Sequence, residues 1–167
     1  MAVPTEPLVR RLVASVVPPG ATTAMFPSVD DDEDGWRLVL ANAFWSARLQ
    51  SYFTEYRLSA EYDEILTVVG DDDMPDELQQ LIVKVAAVEV VLAKMLEVQT
   101  KFRAKSGDNE FETEQSATVL KAILDALRAD LAALKDQLVN DTRFTTSIGL
   151  VDMAVARSVP GSTWVGA

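Results

Sequence analysis

Leu120, Leu124, Leu127, Leu131, Leu134 and Leu138 recur at alternating spacings of four and three residues. At about 3.6 residues per turn, that spacing lays all six on one seam of a single helix. A strand cannot present them together. A helix with such a seam must bury it against another helix, which constrains the chain towards an α-helical bundle. Burial of the six leucines contributes on the order of 1.5–3 kcal/mol each before entropy is subtracted.

The helix that answers this seam lies just upstream. From Pro75 to Ala104, Leu78, Leu81, Val85, Val88, Leu92 and Met95 form one apolar row, and Ile82, Val83, Val90, Val91 and Leu96 widen it. Gly70-Asp71-Asp72-Asp73 supplies a turn, Asp73 can cap the helix, Pro75 suits its first turn, and Asp76 and Glu77 favour its positive end. Lys101, Arg103 and Lys105 stand where a helix C-terminus favours cations. Ser106-Gly107-Asp108-Asn109 breaks the pattern, and acids from Glu110 restart it up to Asn140. So short a connection makes the two helices an antiparallel hairpin. The upstream helix is apolar on more than one side and needs further neighbours. Its surplus face at Val83, Val90 and Val91 is therefore expected to meet adjacent subunits.

Towards the N-terminus, Leu8, Val9, Leu12, Val13, Val16 and Val17 predict a short amphipathic helix over Pro4 to Val17, stopped by Pro18-Pro19-Gly20. Residues 20–29 read as a linker. Asp30, Asp32, Asp34 and Gly35 match the opening of a calcium loop, but its twelfth position must be a bidentate Glu and is Ala41. The acids fit better as an N-terminal flank for a helix over 36–52, which is expected to close the leucine seam. That helix carries Trp36, Leu40, Ala43, Phe44 and Ala47 on one stripe, with Leu38, Trp45 and Leu49 off it. Its aromatic cluster, at helical spacing, is expected in the core. Phe53 to Val69 switches to β-branched and aromatic residues in alternation, which predicts a two-stranded hairpin turning at Ser59 to Asp63.

Beyond Asn140 the character changes. Residues 141–167 are rich in Thr, Ser, Gly and Val, yet hold Phe144, Ile148, Leu150, Met153, Val155 and Trp164. Apolar groups on such a segment are expected to grip a partner. The sequence thus predicts a mainly α fold: a helical bundle on a long antiparallel helix pair, with a small β-hairpin and extended terminal arms. It divides into an N-terminal helix and linker (1–29), a helical core (30–140) and a partner-binding extension (141–167).

Composition removes several functions. The chain has no cysteine and no histidine, so thiol nucleophiles, disulfides, zinc–thiolate sites, a Ser-His-Asp triad and a histidine proton shuttle are absent. The net charge of −11 argues against a phosphate-binding surface. Neither a signal-peptide layout nor an uninterrupted apolar run long enough to span a bilayer is present. An enzyme built from this inventory would have to rely on Asp/Glu chemistry with a metal, and the acidic runs are better explained as helix caps.

Four ordered blocks carry a family resemblance. Trp36 with Phe44-Trp45, Glu77-Leu78-Gln79-Gln80-Leu81-Ile82-Val83, Phe102-Arg103-Ala104-Lys105-Ser106-Gly107 and Gln115-Ser116-Ala117-Thr118-Val119-Leu120 resemble the head-to-tail adaptors, or connectors, of long-tailed actinobacterial phages. The likeness spans residues 33–139. It implies a mostly helical subunit of a dodecameric ring beneath the portal, a virion-neck protein made in the host cytoplasm. The ring continues the DNA channel towards a stopper or tail-completion protein, and genome DNA passes through without specific binding. The resemblance further implies no enzymatic activity, no cofactor and no metal. It gives the portal grip to a C-terminal segment, a role that falls by position on Phe144, Ile148, Leu150, Met153, Val155 and Trp164. A small cytoplasmic helical-bundle regulator, taking a partner helix along residues 78–96, is the alternative.

Overall fold

Two long helices dominate, as the leucine seam demands. They are seen in a computed structural model that describes residues 2–17, 26, 32–46, 53, 55–68, 70, 73–104 and 110–140, with backbone only at 100–104 and 110–116. Helix α3 (Asp76–Ala104) and helix α4 (Glu110–Asn140) form the expected hairpin. The Lys84 ammonium meets the Asp130 carboxylate at 2.6 Å. Lys84 precedes the end of α3 by as many residues as Asp130 follows the start of α4, which only an antiparallel pair satisfies. Leu120, Leu124, Leu127, Leu134 and Leu138 are buried, and Leu131 packs half-buried against the same core.

The remaining elements in chain order are β1 (Ala2–Pro4), α1 (Glu6–Val16), α2 (Glu33–Trp45), β2 (Tyr56–Leu58) and β3 (Glu64–Thr67). Helices α1 and α2 pack on α3 and touch each other, whereas α4 packs chiefly on α3. Helix α3 therefore lies between a one-helix layer and a two-helix layer. That placement explains its composition: from Leu78 to Val88, residues on every side of it are buried. Further along, Ala93 and Leu96 emerge into solvent.

Helix α2 begins at Glu33, three residues before the expected start. The Asp32 carboxylate accepts the Gly35 N–H at 3.1 Å and satisfies one free amide of the first turn. A β-carbon on Gly35 would collide with that carboxylate. Asp32, within the acidic run, is the helix cap. At the far end, the Ser46 N–H returns to the Ala43 carbonyl. Residues 47–52 lie outside the described residues.

The hairpin forms as expected, but its sheet has a third strand. The order is β1-β3-β2, antiparallel throughout, with Val3 opposite Ile65 and Leu58 opposite Ile65 on the other side. Ala2–Pro4, expected to lead into a helix, instead completes the sheet. The Thr5 N–H donates to the Asp63 carbonyl at 2.8 Å, so alternate residues Val3 and Thr5 face β3. Pro4 then faces the open edge, where its missing N–H costs no ladder bond and blunts further pairing. Ile65 and Leu58 are buried from the sheet's inner face.

Candidate interaction surface

The residues expected to bind a partner divide into three groups. Phe144, Ile148, Leu150, Met153, Val155 and Trp164 lie outside the described residues. The seam leucines are the subunit's own core, as expected, but α3 closes them; the helix over 36–52, expected to do so, packs on α3 instead. Val83 and Val91, expected at a subunit interface, are buried at 4% and 0% exposure by the same chain. The helices packed around α3 within the chain cover them, leaving the half-buried Val90 accessible.

Apolar surface remains elsewhere. On α2, Leu38 and Trp45 are 51% and 52% exposed, and on α3 Leu96 is 65% exposed. Trp45 was expected in the core with Phe44. Adjacent residues on a helix point about 100° apart, so the buried Phe44 turns its neighbour outward, and the two rings meet edge-on at 5.2 Å. Between α2 and α3 runs a groove of about 430 Å³ lined by Phe26, Val39, Asn42, Val90, Ala93 and Lys94. Glu89 and Glu97 complete it, and Lys94 pairs with Glu97 at 2.8 Å. The floor is thus apolar and the acids outnumber the lysine. A second groove of about 390 Å³, between α1 and the start of α3, holds Arg11 and Lys84, with Arg11 4.0 Å from Asp76.

On α4 the cations form a row. Lys121, Arg128 and Lys135 recur every seven residues, to one side of the leucine seam. Lys121 and Arg128 are exposed and Lys135 is half-exposed, and none pairs with an acid among the described residues. Asp130, on the opposite flank, is held by Lys84. This row was readable in the sequence by its heptad spacing, whereas the groove joins helices distant in sequence and was not.

Away from these surfaces, the hairpin turn carries one perturbed acid. The Ser59 hydroxyl donates to the Asp63 carboxylate at 2.5 Å and itself accepts the Asp63 N–H at 3.1 Å. The bond to Ser59 holds the Asp63 carboxyl below the usual aspartate range. Among the described residues, no three acids gather into a metal-binding group. In the same set, no helix is long and apolar enough to cross a membrane. Compared with protein-family models, curated proteins and solved structures, the chain matches none.

Proposed function

We propose that this chain is a non-enzymatic structural subunit of a phage neck, assembling as a ring that joins the portal to the tail-side stopper and continues the DNA channel. The observation that carries the reading is the exposed apolar surface on the two helices that frame the groove, where Leu38, Trp45 and Leu96 stand outside the described core. A subunit that folds on its own yet keeps such surface is suited to assembly with copies of itself. Two further features support it. Trp36, Phe44-Trp45 and the 77–83 block, which carry the family resemblance, fall on the helices that frame that groove. The net charge of −11 would give a ring a lumen from which DNA is repelled, so the genome slides without adhering.

The partners on this reading are other copies of the chain in a dodecameric ring, the portal protein, the stopper, and DNA in passage. Mixing the purified chain with portal particles and imaging them by negative stain tests the proposal. Added annular density at one pole of the portal is the expected result; bare portals at saturating chain would sink it. The alternative, a cytoplasmic regulator gripping a partner helix along 78–96, has less room, because residues 78–88 of α3 are largely covered by the subunit itself.

A further inference from the structure

We draw no further inference here: the strongest candidate, the outward face of α4, where Val119 and Val139 stand exposed on the helix that carries the Lys121, Arg128 and Lys135 row, is an apolar surface patch for which nothing in the structure shows what covers it.

Discussion

The Thr5 hydroxyl donates to the Tyr62 carbonyl at 2.8 Å, with Thr5 fully buried, and so ties the start of the first helix to the hairpin turn 57 residues later. Tyr62 holds a left-handed backbone (φ 58°), a conformation that costs a non-glycine residue about 1 kcal/mol or more. The Thr5 hydroxyl and, one residue on, the Thr5 N–H bonded to Asp63 hold the turn in place.

Thr5→Val keeps the shape and removes the donor, leaving the part-buried Tyr62 carbonyl short of its bond. Urea unfolding should show a loss of about 1–2 kcal/mol. Breaking the exposed Glu6–Arg10 pair by Arg10→Ala should cost less than about 0.5 kcal/mol. Equal effects of the two changes would mean that the Thr5 bond does not hold the N-terminal strand.

Asp63 titrates below the usual aspartate value because the Ser59 hydroxyl bonds its ionised form. A depressed folded-state pKa adds stability that is present above the unfolded value of about 3.9 and is lost as pH falls through the lower folded value. Ser59→Ala should return the Asp63 carboxyl towards the ordinary range in an NMR titration. An unmoved titration would show that another group sets it.

The leucine seam should tolerate little. Leu124→Ala leaves a cavity between α3 and α4 and should cost about 2–5 kcal/mol in chemical unfolding. Leu124→Asp should abolish cooperative helical unfolding seen by circular dichroism. Ala129→Asp, on the exposed side of the same helix, should leave both signals near wild type.

The Lys84–Asp130 pair, by contrast, marks the hairpin's register more than it stabilises it. Its side chains are 26% and 58% exposed, and exposed pairs contribute about 0.2–1 kcal/mol. A double-mutant cycle with Lys84→Met and Asp130→Asn should return a coupling in that range. A coupling several times larger would mean that the pair is far better shielded than its exposure indicates.

Removal of residues 141–167 should leave the thermal unfolding of the helical core unchanged, because the described core is built from residues before Asn140. The shortened chain should lose attachment to portal particles in a pull-down. Undiminished capture would place the grip elsewhere on the subunit.

Much of the fold was legible because its main signal is local. Six leucines on one seam define α4, and the widened row of α3 announces that it needs several neighbours. What the row does not say is whose. Val83 and Val91 look the same in the sequence whether helices of the same chain cover them or an adjacent subunit does. Strand β1 was hidden for a related reason: Ala2-Val3-Pro4 has no strand signal of its own and becomes one only beside β3, more than 60 residues away. Trp45 lies outside the core because neighbours on a helix diverge by about 100°, a turn that aromatic clustering alone does not convey. The heptad row of cations was in plain view, but the groove exists only once α2 and α3 are brought together.

The most direct test of the neck reading is the mass of portal particles before and after saturation with the purified chain. The account predicts a discrete increment equal to a closed ring of copies, twelve if the resemblance holds in full, with no intermediate plateau. No increment, or one that grows without limit as chain is added, would contradict it.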